Sequence, residues 1–388
     1  MDRRLKVLTL VGTRPEIIKL SRIIAELDRT CDHVLVHSGQ NFDYELNEIF
    51  FRDLGLRKPD WFLGAAGNTP AETIAAVLTS FDELLGRVAP EAVLIYGDTN
   101  TGLGAIAAKR RKIPIFHMEA GNRSFDQRVP EEMNRKIIDH ISDINLPLTE
   151  HARRYLLAEG LPPDRVIKSG STMYEVLSHY RPGIDASDIL GRLGLTPARY
   201  FLVSVHREEN VDDPDRLAAV LSCLEALASR FEIPVIISTP PRTRLRLEAA
   251  GLASSEAIRF LKPFGFFDYV RLQRESFCVV SDSGTITEEA AILGFPALTL
   301  REAHERPEGM DGGVLVMSSL DPDRLLQAVL MITSQHRADR PGVLVPDYVE
   351  PDVSIKVARI ILSYVDYVNR VVWRKPPMDR QTDWSKDR

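Results

Sequence analysis

The strongest constraint on this chain is the regular alternation of short β-branched runs with segments of helical period, beginning at residue 7 and continuing to residue 333. Apolar runs at 7–11, 34–37, 92–96, 115–117, 145–149 and 166–168 are separated by helix-period stretches at 16–29, 71–87, 103–112, 131–142 and 150–159. Strands that read as continuous apolar runs, each followed by a helix, predict a parallel sheet covered by helices. A composition shift at Tyr180-Arg181-Pro182-Gly183-Ile184-Asp185 interrupts the pattern. It resumes with strands at 200–205, 235–238, 258–262, 278–281, 297–300 and 314–317 and helices at 214–230, 267–275, 286–293 and 322–333. With 388 residues, more than one hydrophobic core ordinarily serves, two α/β units are expected. Their ranges are 1–175 and 176–352, followed by an amphipathic helix over 353–371 and a polar, loosely held tail over 372–388.

Several classes are disfavoured by composition. A net charge of −6 argues against a general nucleic-acid or anionic-membrane surface, while leaving room for a local basic pocket. Three widely spaced cysteines, Cys31, Cys223 and Cys278, form neither a disulfide framework nor a zinc motif and fit a reducing cytoplasm. The run 7–11 is too short for a signal-peptide core, and no apolar stretch approaches the roughly 18 residues of a membrane span. No histidine spacing suggests a metal, and none is expected.

Chemistry-bearing residues cluster just past the predicted strand ends, which in an open parallel sheet face the ligand crevice. Gly12-Thr13-Arg14-Pro15-Glu16 opens the first helix, where backbone amides and Arg14 and Lys19 would receive an anion. A plain strand-to-helix turn with Pro15 in its first turn fits the same residues. Ser281-Asp282-Ser283-Gly284-Thr285 repeats the arrangement in the second half, with the amides of Ser283, Gly284 and Thr285 placed to cradle a pyrophosphate and Glu289 to accept ribose hydroxyls. An ordinary serine cap explains that turn locally. Asp98, Glu119 and Glu131 trail strand ends as candidate acids and bases, although Pro130-Glu131-Glu132 also reads as a helix first turn. His206 ends a strand and is suited to binding phosphate or transferring a proton. A charged loop, residues 301–308, offers Arg306 and Glu308 as polar anchors. The G-x-G-x-x-G fingerprint of a dinucleotide site follows none of the strands, so no cofactor is expected.

In order and spacing, VGTRPEIIKL, GDTNT, HMEAGNR, VPEEMNRK, HREEN, SDSGTITEEA and RPEG resemble the non-hydrolysing UDP-N-acetylglucosamine 2-epimerase family. The resemblance implies a glycosyltransferase-B-like fold of two Rossmann-like domains around a UDP-sugar cleft, the C-terminal helix returning to the first, and a homodimer. It implies catalytic positions at Asp98, Glu119, Glu131 and His206. It also implies nucleotide or substrate contacts at Arg14, Lys19, Arg135, Ser283, Gly284, Thr285, Glu289 and Arg306. Pro240, where the family commonly has His, and Gln40-Asn41-Phe42-Asp43 depart from the pattern tied to activation by UDP-N-acetylglucosamine. HMEAGNRSFDQ, HREENVDDP, STPPRT and LKPFGFFDY look instead like the branch producing UDP-N-acetyl-L-fucosamine from UDP-2-acetamido-2,6-dideoxy-L-talose. The implied partner is thus a UDP-amino sugar, with neither nucleic acid nor membrane.

Overall fold

A computed structural model describes residues 3–40, 50–205, 207–239, 243, 244, 246, 255–301, 305–336 and 344–376. The first sheet contains Lys6–Val11 (β1), Asp32–His37 (β2), Trp61–Phe62 (β3), Ala92–Tyr96 (β4), Ile115–Met118 (β5) and Ile144–Leu146 (β6). The second contains Phe201–Ser204 (β7), Val235–Ser238 (β8), Ile258–Leu261 (β9), Cys278–Ser281 (β10), Ala297–Thr299 (β11) and Val316–Met317 (β12). Strand order is β3-β2-β1-β4-β5-β6 in one and β12-β11-β10-β7-β8-β9 in the other, every pair parallel. Numbered within its own sheet, each therefore runs 3-2-1-4-5-6. That order reverses direction between β1 and β4 and between β7 and β10, and ligand crevices open outside such reversal points.

The helices that bear on the site are Arg14–Thr30 (α1), Pro130–Ile141 (α2), Arg181–Asp185 (α3), Ile286–Leu293 (α4), Pro307–Asp311 (α5) and Val353–Val371 (α6). Among the described residues no helix is long and apolar enough to cross a membrane. Each sheet has apolar layers on both faces, which is why its central strands carry no polar alternation. One of these layers joins distant parts of the chain: Val357, Ile361, Val365 and Val368 of α6 pack with Ile17, Leu20 and Ile24 of α1 and with β1. At about 1.5–3 kcal/mol for each fully buried aliphatic side chain, this contact anchors α6 against the first sheet.

Three segments differ from the sequence reading. Residues 166–168 form no strand, only an isolated bridge between Asn145 and Val166. The Tyr180–Asp185 stretch is helical at α3 and packed, not a break. Pro182 lies in the first turn, where a missing amide costs little. Gly183 is there for close approach, since a Cβ would sit 2.9 Å from the Phe267 ring. Tyr180 donates its hydroxyl to the Leu54 carbonyl at 2.7 Å. Finally, the expected tail is partly docked: Lys109 lies 5.0 Å from the Trp373 ring centroid and Lys375 donates to the Lys112 carbonyl at 2.7 Å, while residues 377–388 fall outside the described set. Gly183→Val should overpack against Phe267 and lower unfolding free energy by about 1–3 kcal/mol, measured by urea denaturation; an unchanged midpoint would contradict the packing.

Candidate active site

The two reversal points are finished differently. After β1, the carboxylate of Glu16 accepts the Gly12 and Thr13 amides at 2.5 and 3.1 Å, and its other oxygen accepts the Thr99 hydroxyl beyond β4 at 2.6 Å. Burial raises the Glu16 pKa to about 7, against these hydrogen bonds. The expected anion cradle is thus filled by the protein's own side chain, a capping box closed over the first turn of α1. Arg14 lies to one side, its guanidinium 5.5 Å from the Phe50 ring centroid. After β10, neutral hydroxyls do the equivalent work: Ser281 Oγ accepts the Ser283 amide at 3.0 Å, and Ser283 Oγ meets Thr285 Oγ1 at 3.0 Å. A narrow cavity beside this turn is lined by Ser283, Gly284, Arg301, Glu305 and Arg306. One turn into α4, Glu289 accepts from Gln273 Nε2 at 2.6 Å, and burial raises its pKa.

Between the sheets lies a buried network of opposite charges. Glu119, at the end of β5, accepts Lys19 Nζ at 2.5 Å from α1 and Arg306 Nη2 at 3.1 Å from the loop beyond β11. Glu288 of α4 stands 3.8 Å from Lys19 and 3.7 Å from Arg306, and accepts the Ser171 hydroxyl at 2.6 Å. Asp98, past β4, receives Arg135 Nε and Nη2 from α2 at 3.1 and 2.6 Å. The same Arg135 lies 3.3 Å from Glu305, whose carboxylate also takes Arg301 at 2.9 Å and stands 3.6 Å from Arg207. These arginines hold the Glu305 carboxyl far below its ordinary range despite burial.

The two strand-end acids are driven apart. Burial raises Asp98, with Glu305, Glu119 and Glu131 adding to the rise and Arg135 opposing it. Burial also disfavours ionised Glu119, but Lys19 and Arg306 outweigh it and hold the pKa at about 2. An acid and a base can thereby coexist in one cleft. Glu119 adopts φ +61°, with Gly121 in the same turn at +81° and Gly97 past the neighbouring β4 at +70°. Left-handed backbone at a non-glycine costs about 1–2 kcal/mol and persists where surroundings demand it.

Of the remaining sequence candidates, Glu131 is half-buried within the electrostatic reach of Asp98. Its neighbour Glu132 turns inward to the Ser124 amide and hydroxyl, both 3.0 Å, and to Arg135 at 3.1 Å. Glu308 is not a free anchor, since it accepts the Tyr348 hydroxyl at 2.5 Å in the buried start of α5. His206, residues 41–43 and residues 240–242 lie outside the described set. Sequence reasoning passed over Glu16, Glu288, Glu305, Arg301 and the buried His117–Asp139 pair, whose ring and carboxylate approach to 2.9 Å. Only Glu16 had a local signal, the Thr-x-x-Glu spacing of a capping box.

A family model described as UDP-N-acetylglucosamine 2-epimerase matches residues 25–362. The chain belongs to the UDP-N-acetylglucosamine 2-epimerase family. The structure of the UDP-N-acetylglucosamine 2-epimerase from Rickettsia bellii is 56% identical with a TM-score of 0.90, over 96% of this chain and 100% of that one. The Methanocaldococcus jannaschii UDP-GlcNAc 2-epimerase in complex with UDP-GlcNAc and UDP is 31% identical with a TM-score of 0.86, over 92% of this chain and all of that one. The Pseudomonas aeruginosa UDP-2,3-diacetamido-2,3-dideoxy-D-glucuronate 2-epimerase is 34% identical over 84% of this chain and 91% of that protein. The paired sheets are those of the glycosyltransferase-B-like epimerase structures.

Holding Glu119 near 2 instead of 4.5 favours its charged form by about 3 kcal/mol. Because the folded pKa is the lower one, this stability is present above pH 4.5 and drains away as pH falls toward 2. Glu119→Gln should therefore be less stable than the parent by about 3 kcal/mol at pH 7, with the gap narrowing below pH 4.5 in urea titrations. A gap independent of pH would contradict the ion pairing.

Proposed function

We propose that this family member is an isomerase that inverts C2 of a UDP-2-acetamido sugar. One observation carries the reading: two acids with ionisation driven in opposite directions, Asp98 and Glu119, sit at adjacent strand ends facing a hydroxyl-capped turn and buried arginines of the other sheet. The neutral turn at Ser283–Thr285 and the cations Arg306 and Arg135 suit a pyrophosphate, with Glu289 toward the ribose. Arg14 and Lys19 complete the basic side, and His206 is assigned to proton or phosphate contact on the family resemblance.

The reaction then runs by elimination and re-addition. A carboxylate of the Asp98, Glu119 and Glu131 set takes the C2 proton as the C1–O bond breaks and UDP leaves, both bonding electrons departing with the pyrophosphate oxygen. The product in the cleft is a 2-acetamidoglycal. UDP returns to C1 while a second acid protonates C2 on the opposite face. A C2–H is weakly acidic, so a positioned base and cations at the departing oxygen both lower the barrier. No oxidant enters this balance.

For the sugar, we propose UDP-2-acetamido-2,6-dideoxy-L-talose, giving UDP-N-acetyl-L-fucosamine, supported by HMEAGNRSFDQ, HREENVDDP, STPPRT and LKPFGFFDY. A sister conversion, from N-acetyl-L-rhamnosamine to L-quinovosamine nucleotide, fits the same segments. The 56% identical Rickettsia bellii protein, described as a UDP-N-acetylglucosamine 2-epimerase, favours a second reading in which UDP-N-acetylglucosamine is the substrate. The resemblance further supports a cytoplasmic homodimer, with units at 1–175 and 176–352, supplying precursors for capsule or O-antigen.

Incubation with each UDP-sugar in D2O should place deuterium at C2 in both epimers, followed by NMR and mass spectrometry. Faster exchange with the L-talose derivative than with UDP-N-acetylglucosamine is expected, and the reverse ranking selects the second reading. Exchange with neither, nor with the N-acetyl-L-rhamnosamine nucleotide, would remove the epimerase assignment. Asp98→Asn keeps an oxygen for Arg135 and should abolish exchange while UDP binding by calorimetry persists. The acid limb of the parent's kcat profile should lie above the ordinary aspartate range near 3.9.

A further inference from the structure

We propose that His117 and Asp139 are positioning residues that tie the turn carrying Asp98 to the turn carrying Glu119, so that the two acids address one substrate carbon. The proposal rests on the epimerase reading above. His117 Nε2 lies 2.7 Å from the Gly97 carbonyl, immediately before Asp98. A carbonyl only accepts, so Nε2 carries the proton and donates it. On the other side of the ring, Nδ1 approaches Asp139 Oδ1 to 2.9 Å without the alignment of a hydrogen bond. The Asp139 carboxylate in turn accepts the Gly121 amide at 3.1 and 3.3 Å, two residues beyond Glu119. His117 thus holds one strand-end turn and Asp139 the other, and the two side chains are packed directly against each other between them.

Both side chains are fully buried. Arg123 Nη1 fixes Asp139 Oδ2 at 2.7 Å and is itself held by Glu159 at 2.6 and 2.7 Å. Asn145 Nδ2 donates to the Asp139 backbone carbonyl at 2.9 Å, fixing the main chain beneath the carboxylate that Arg123 orients. An apolar pair would fill this volume without the desolvation penalty of buried polar groups. What an apolar pair cannot do is donate to the Gly97 carbonyl and accept the Gly121 amide, the backbone groups on either side of Glu119, itself at φ +61°. Proton transfer at one carbon depends steeply on placement, and a displacement near 1 Å costs on the order of 100-fold in rate.

The test is a series at residue 117 read on the intact enzyme. His117→Leu removes the donor to Gly97, whereas His117→Gln places an amide N–H at the same reach. With the UDP-sugar that the parent turns over fastest, His117→Leu should lower kcat by about 10- to 100-fold and leave KM and the UDP dissociation constant within about threefold. His117→Gln should recover most of the loss. Should the leucine variant not fold, His117→Asn takes its place, being polar but too short to reach Gly97. A folded His117→Leu with parental kcat, a loss of kcat matched by loss of UDP binding, or glutamine no better than leucine or asparagine would each overturn the proposal. A parent enzyme inert toward every UDP-2-acetamido sugar would instead remove the reading on which it rests.

Discussion

Lys19 and Arg306 approach from opposite sheets and meet on the two oxygens of a single carboxylate, Glu119. Each of the three is nearly inaccessible, and removing such charges from water costs several kcal/mol apiece unless they are paired. Glu288 adds a second carboxylate within 3.8 Å of both cations. Separation of the sheets would expose all four groups to water and weaken every pair. The packing of the two sheets and the charge pattern therefore depend on each other, and the same pairing with Lys19 and Arg306 is what lowers the Glu119 pKa. Asp98 has, among the described residues, a single cation, Arg135, that it must divide with Glu132 and Glu305, and its pKa moves the other way.

The parts of the fold legible in the amino-acid sequence were those with a period. Strands at 92–96, 235–238 and 278–281 and helices at 286–293 and 353–371 lie where their patterns place them. A two-residue strand such as Trp61–Phe62 has no period to detect, and its side chains are exposed. Pro182 and Gly183 misled because both residues have two meanings: they interrupt chains, and they also serve in helix first turns and close contacts. Within the site, acids were legible by their position past strand ends. Their partners were not: Glu132 turns inward to Ser124 and Arg135 through the geometry of one helix start, and the cations that Glu119 meets come from 100 and 187 residues away.

The reversal points show how one topology supports two electrostatic outcomes. The first places a carboxylate on its free amides and ties β1 to β4 through Thr99. The second uses hydroxyls and is bordered by Arg301 and Arg306. At the first helix start Glu16 already occupies the Gly12 and Thr13 amides, whereas the second start is capped by neutral hydroxyls. On the proposed reading the repeated architecture divides the labour, with proton handling after β4 and β5 and the anion received after β10.

The helix α6 carries a consequence for how the polypeptide matures. Its aliphatic face completes the layer over α1 and β1, although some 320 residues of chain lie between them. As synthesis proceeds from the amino terminus, the first sheet can form early but keeps a sticky aliphatic stripe until the last helix has emerged. The second sheet must be made before that stripe is covered. The stripe is therefore covered late, by residues 353–371 folding back onto the first sheet, and premature termination between the second sheet and that helix would leave a nearly complete but adhesive product.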